Sequence, residues 1–329
     1  MKRTMFFKNK PTIIGVSSVA GPKESSGSIN EYIETKLDDD MYGEKTFEKA
    51  ESRMLFTAIK NSIINAGKDE KDVDALICGD LLNQIIASTF AARNFNIGYL
   101  GVYNACATFT EALTIGAAMI DGGYMNNVVC ATSSHFSSAE RQYRYPLELG
   151  CTRPPQSQWT VTGAGSSVIS KSGDGPKIVC ATVGRVVDYG VTDTNNMGAA
   201  MAAGAADTLL NHFKEINSNP DEYDLIVTGD LGTLGSRILK DLVWEKGYDI
   251  EKQHVDCGEL IYSICEDEYQ GGSGAGCSSV VFNSYLYSKL KNKEYKRIIL
   301  MATGALLSSV SAQQGESIPG IAHAVVVES

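Results

Sequence analysis

Apolar and polar positions along the chain fall into short blocks whose periods switch between two and about 3.6 residues. Pro11 to Ser18 is a β-branched run closed by the turn residues Ala20-Gly21-Pro22-Lys23, and it reads as a strand. Residues 24–42 are polar and contain glycine, which predicts an irregular excursion. From Glu44 to Ala66 the apolar spacing is helical and stops at Gly67. Val73 to Cys78 forms a short buried strand, followed by Gly79-Asp80-Leu81-Leu82-Asn83-Gln84 and a helix ending near Asn94. An extended run, Ile97 to Tyr103, leads into Asn104-Ala105-Cys106-Ala107-Thr108, and a helix follows as far as Asp121-Gly122-Gly123. Asn127 to Thr132 is a strand, residues 135–158 a long loop, and Trp159 to Ser170 a further strand. The order is βαβαβαββ.

Ser172 to Pro176 punctuates the chain, and the pattern begins again. Lys177 to Val187 is a strand, Met197 to Ile216 an Ala-rich helix, and Tyr223 to Thr228 a strand ending in Gly229-Asp230-Leu231. Helices are expected at Ser236 to Glu245 and Gly274 to Leu290, and strands at Arg297 to Thr303 and Ile321 to Glu328. Residues 250–265 show no clear period; the second half fits βαβαβαββ if they supply its third strand. Some echoes are literal. Gly79-Asp80-Leu81 recurs as Gly229-Asp230-Leu231, and an offset of 171 residues carries Ala131-Thr132 onto Ala302-Thr303 and Cys106 onto Cys277. These matches predict an α/β chain of two duplicated halves, residues 1–174 and 175–329, related by a pseudo-twofold. Its site is expected where helix N-termini of the two halves converge.

Composition narrows the function. A net charge of −10 without a basic block argues against nucleic acid as a direct partner. No apolar run approaches the roughly 20 residues that span a bilayer, and the N-terminus lacks the apolar core of a signal peptide. The chain is therefore expected inside a cell. Its eight cysteines, at 78, 106, 130, 151, 180, 257, 265 and 277, include no CxxC pair, and four histidines give no zinc spacing. Neither a metal site nor a disulfide is expected.

The candidate chemistry starts at Cys106. A thiol at a helix start meets unpaired N–H groups and the positive end of the helix dipole. That setting either activates a nucleophile or holds an anionic ligand without chemistry. A small residue filling a tight helix start is the plainer alternative, and Cys277 reads as core.

A duplicated βαβαβαββ unit with a Cys on the third helix of its first half resembles the thiolase fold, which implies an αβαβα layered architecture. Ala20-Gly-Pro-Lys-Glu24, Gly79-Asp-Leu-Leu-Asn-Gln84, Ala131-Thr-Ser-Ser-His135 and Ala139-Glu-Arg-Gln-Tyr-Arg-Tyr-Pro146 resemble the stage V sporulation protein AD family. So do Ala181-Thr-Val-Gly-Arg185, Asp256-Cys-Gly258, Ala302-Thr-Gly-Ala-Leu-Leu307, Glu316-Ser-Ile-Pro319 and Ile321-Ala-His323. The resemblance implies binding of dipicolinic acid (pyridine-2,6-dicarboxylate) and help with its uptake into the developing endospore, beside membrane-embedded proteins of the same operon. It implies peripheral association with a spore membrane through those partners. Proteins of this fold commonly pair through the strand before the Cys helix, here Ile97 to Tyr103, which would make a homodimer.

Condensing enzymes of the fold add a His and an Asn or second His from the second half. The matching places here read Gly229-Asp230 and Gly271-Gly272-Ser273, so acyl transfer is not expected. Candidate ligand-binding residues are Cys106, His323, Asp80, Asn83, Asp230 and Ser273. His135, Arg141 and Arg144 lie on a loop that would line the pocket or dock a partner, or be held by its own ion pairs. Asp80 and Asp230 would cap helices, or meet a calcium-chelated ligand or a protonated group. No cofactor is expected, with calcium entering only as part of the ligand. For a dianion to bind, Cys106 should remain a thiol. The competing readings are a Cys106 acyl transferase and a scaffold docking membrane partners.

Overall fold

The computed structural model describes residues 2–143, 152–262 and 269–329. The first half contains β1 (Thr4–Phe6), β2 (Thr12–Ala20), β3 (Thr35–Lys36), α1 (Phe47–Asn65), β4 (Ala75–Gly79), α2 (Ile86–Ala92) and β5 (Gly98–Gly101). It continues with α3 (Thr108–Asp121), β6 (Asn127–Ser134), α4 (Phe136–Tyr143), β7 (Trp159–Thr160) and β8 (Gly163–Ser170). The second half runs β9 (Lys177–Thr182), α5 (Met197–Ile216), β10 (Leu225–Thr228), α6 (Gly232–Trp244), β11 (His254–Asp256), α7 (Cys257–Ile261) and β12 (Gly272–Ser273). It ends with α8 (Ala275–Val281), α9 (Tyr287–Lys291), β13 (Arg297–Ala305), α10 (Ser309–Gln313) and β14 (Gly320–Glu328).

The repeat is legible in the sheet. Its main path is β11-β10-β13-β14-β9-β2-β8-β6-β4-β5. Numbering the five principal strands of each half in chain order, both halves read 3-2-4-5-1, and they meet first strand to first strand. In each half the second strand is parallel to the third and fourth, and the fifth is antiparallel to its neighbours. The stretch that showed no period supplies β11 and α7, so the third strand is present. The expected loop 135–158 begins instead as helix α4, a correction that follows from its amphipathic spacing: Ser138, Ala139 and Glu140 are buried while Arg141 is exposed.

Three apolar clusters make the layers. α1 and α2 cover the outer face of the first half-sheet, and α5 and α6 cover that of the second. α3 and α8 lie between the half-sheets, where Phe109, Leu113, Cys277 and Phe282 are fully buried. Burying each of the large side chains is worth roughly 1.5–3 kcal/mol. α1 is capped by the Thr46 side chain, which accepts from the Lys49 amide at 3.4 Å, and its end presses on β2. A Cβ on Gly15 would stand 2.5 Å from the Ala66 nitrogen, so Gly15→Ala would pry the helix off its strand. Among the described residues no helix is long and apolar enough to cross a membrane.

Candidate functional site

Cys106 sits in the turn between β5 and α3, two residues ahead of the first helical residue, Thr108. Ala105 before it has φ +49°, a left-handed conformation that costs a non-glycine residue about 1 kcal/mol or more. This bend lets the turn's own carbonyls take the amides expected to be free. Ala107 donates to Asn104 O at 3.0 Å and Thr108 to Ala105 O at 3.3 Å. β13 closes against the turn, where a Cβ on Gly304 would fall 2.5 Å from Asn104 O.

The second half supplies the facing wall. Cys106 Sγ lies 4.0 Å from Ser273 Oγ, which donates to Asp230 Oδ2 at 2.9 Å. The Gly274 amide donates to the same oxygen at 3.0 Å, and Thr303 Oγ1 donates to Oδ1 at 2.6 Å. Asp230 is fully buried, and burial raises its carboxyl against these hydrogen bonds. Burial first, then the charge of Asp230 and a hydrogen bond to it, push the Cys106 thiol well above its usual range. Cys106 is thus held as a neutral thiol that donates toward Asp230.

Around this pair lies a chamber with about 440 Å³ of empty space, its open mouth included. Leu81, Tyr103 and Tyr143 line it from the first half, and Met197, Ser273 and Leu307 from the second. Glu140 also lines it; its Oε1 accepts from Thr160 Oγ1 at 2.8 Å and its Oε2 pairs with Arg153 at 3.3 Å. Among the described residues no Lys, Arg or His side chain lines the chamber. An outer vestibule of about 910 Å³ shares Tyr103, Tyr143 and Leu307 with it, and the two tyrosine hydroxyls stand 3.4 Å apart. The two tyrosines come from separate parts of the chain, Tyr103 from the turn after β5 and Tyr143 from the end of α4, so no local motif joins them; Tyr143 lies inside the Ala139–Pro146 stretch, the one available signal.

The expected site residues therefore separate. Cys106 and Ser273 line the chamber, and Asp230 stands directly behind them. Asn83 belongs to the vestibule, its amide donating to Gln142 Oε1 at 3.1 Å. Asp80 does not reach the chamber: Oδ1 accepts from the Leu82 amide at 2.8 Å and Oδ2 from the Ser88 amide at 2.7 Å, the capping alternative. His323 lies on β14 opposite Ala302, outside the chamber wall. Its Nδ1 accepts from the Gly184 amide at 3.1 Å, its Nε2 is buried without a hydrogen-bond partner, and burial lowers it to about 4. It is neutral and supplies no charge near neutral pH. His135 is buried, and its Nε2 bonds to Asp40 O at 2.8 Å while Nδ1 accepts from the Ser137 amide. Arg141 pairs with Glu48 at the surface, over the Phe47 ring. Arg144 lies outside the described residues. Among those described, no three His, Cys, Asp or Glu side chains are grouped to share a metal ion.

The layered, duplicated sheet with a Cys turn between its halves is the architecture of thiolase-like proteins. 3-Oxoacyl-[acyl-carrier-protein] synthase III from Aquifex aeolicus VF5 superposes with a TM-score of 0.59, covering 97% of this chain and 100% of that one at 14% identity. OleA from Xanthomonas campestris gives 0.64, covering 98% of each chain at 17% identity. These likenesses establish the fold. The family follows from sequence: the model of stage V sporulation protein AD (SpoVAD) matches residues 1–328. Stage V sporulation protein AD of Bacillus subtilis (strain 168) is 41% identical over 327 residues, 99% of this chain and 97% of that protein. The chain belongs to the SpoVAD family of sporulation proteins.

Proposed function

We propose that this protein binds dipicolinic acid in the Cys106 chamber, without catalysing a reaction, and serves uptake of that acid into the developing spore. One observation carries the reading: the thiol at the fold's nucleophile position is held neutral against a buried carboxylate, with no imidazole on the chamber wall among the described residues. A neutral thiol is a poor nucleophile and does not repel an anionic ligand. The hydroxyls of Tyr103 and Tyr143 meet the ligand's carboxylates, Leu81, Met197 and Leu307 flank its ring, and Ser273, whose proton goes to Asp230, lines the wall beside Cys106. With no cation on the wall among the described residues, a calcium chelate brings its own. The role includes peripheral membrane association through membrane-embedded partners. It also includes pairing of two copies through β5, whose outer edge pairs with no other strand among the described residues and is largely exposed.

Calorimetric titration with dipicolinate, with and without calcium, tests the reading. Saturable binding weakened at least tenfold by Cys106→Trp, which fills the chamber, is expected. No heat in either condition on folded protein overturns it, and stoichiometric labelling of Cys106 by an acyl thioester would favour the acyl transferase instead.

A further inference from the structure

The chamber and the vestibule are two spaces with a common partition. Among the described residues, Tyr103, Tyr143 and Leu307 are the side chains that line both. The tyrosine hydroxyls meet across the partition at 3.4 Å. Oxygens that close are in contact, so no ring passes between them while they stay so. Cys106 and Ser273 lie behind the pair, and Asn83, Gln84 and Ser308 lie in front of it. The two rings are held differently. Tyr143 ends α4 and packs on two apolar clusters, one of Leu81, Cys106, Ala139 and Ala275 and one that includes Leu307. Tyr103 stands in the turn after β5, belongs to no apolar cluster of the described residues, and is 44% exposed.

Parting the pair by turning Tyr103 moves a ring that already faces solvent, whereas moving Tyr143 would break packing on both sides. The bond between them is long for two hydroxyls, whose usual separation is about 2.7–2.8 Å, so it yields readily. We propose that Tyr103 is a swinging gate between vestibule and chamber, latched on Tyr143, and that it selects entrants by width. A narrow molecule needs a small swing of the ring, and a broad planar one of the pyridine dicarboxylate class needs a full swing. The swing also frees both hydroxyls to meet the carboxylates of a ligand that has passed. The inference rests on the chamber's being a ligand site and adds what governs access to it.

Cys106 reports the gate without any dipicolinate. On the full chain at one pH, its labelling by narrow methyl methanethiosulfonate and by broad N-phenylmaleimide is followed by peptide mass mapping. Both reagents attack through the thiolate, so the ratio of their rates cancels the ionisation of the thiol. Tyr103→Ala should speed N-phenylmaleimide labelling at least tenfold and the narrow reagent less than threefold. Tyr103→Phe, which keeps the ring and removes the latch, should speed N-phenylmaleimide about threefold. Tyr124→Ala, at a position 84% exposed that lines neither cavity, should change neither rate by more than twofold. An N-phenylmaleimide gain within twofold in Tyr103→Ala overturns the gate, and so does equal acceleration of both reagents, which marks a loosened wall. Should Tyr103→Ala fail to fold, Tyr103→Phe decides, and an unchanged rate there overturns the proposal. Because the probe is the thiol, failure of the gate is told apart from failure of dipicolinate binding, which calorimetry reads.

Discussion

Asp80 and Asp230 each follow a glycine at the end of a parallel strand, in the same tripeptide and at the same place in the two halves. Asp80 accepts two amides of its own segment and holds the start of α2. Asp230 instead reaches across to Ser273, Gly274 and Thr303 and backs the chamber wall. The difference lies in a third carboxylate. In the second half Asp256, from the adjacent strand β11, takes the amides of Leu231 and Gly232 at the start of α6. Asp230 is thereby released from capping. Among the described residues the first half has no such substitute at α2, and the chain there passes through left-handed Gln84 and Ile85 before the helix begins. The same tripeptide serves two ends, and the carboxylate on the neighbouring strand decides which one.

Removing Asp230 tests that division most severely. Asp230→Ala strands three buried donors and should cost about 3–5 kcal/mol in urea unfolding, and a loss under about 1 kcal/mol would refute its wall-building role. The milder Asp230→Asn should speed alkylation of Cys106 by iodoacetamide, because the charge holding the thiol neutral is gone.

A second test uses pH. Burial first, and then the Asp80 charge, raise the Glu51 carboxyl to about 8. A carboxyl raised on folding binds its proton more tightly in the folded state, so its contribution is full below about 4.5 and is lost as pH rises toward 8. The urea midpoint should therefore decline between pH 5 and 8, and Glu51→Gln should flatten part of that decline; an unchanged slope would dismiss the coupling.

Smaller still is Asp80→Asn, expected to lower stability by about 1–2 kcal/mol while leaving dipicolinate affinity within twofold. A large loss of affinity with little loss of stability would return Asp80 to the binding site. Least of all, Arg141→Ala should change stability by no more than about 0.5–1 kcal/mol, as for exposed ion pairs; a fall in membrane-partner capture with unchanged stability would instead reveal a docking role.

The duplication could be read from sequence because its echoes fall at strand ends, where spacing is tightly held. Cys106 and Ser273 could be found from their turns. Asp80 and Asp230 could not be told apart, since their local sequence is the same and only Asp256, on another strand, distinguishes them. His323 offered an imidazole near the expected turn, but strand register places it opposite Ala302 and outside the chamber wall, and register is not written in a uniformly apolar strand. β11 was invisible because three residues with one central valine carry no measurable alternation.

The cysteines have a consequence for durability. All six in the described regions are buried and free, and burial raises each thiol above its usual range, Cys78 and Cys180 to about 12 and the others in the same direction. Oxidation proceeds through the thiolate, so burial slows it at each of these six side chains. For a member of a sporulation family, that ties the slow chemical ageing of these six thiols to the packing around them.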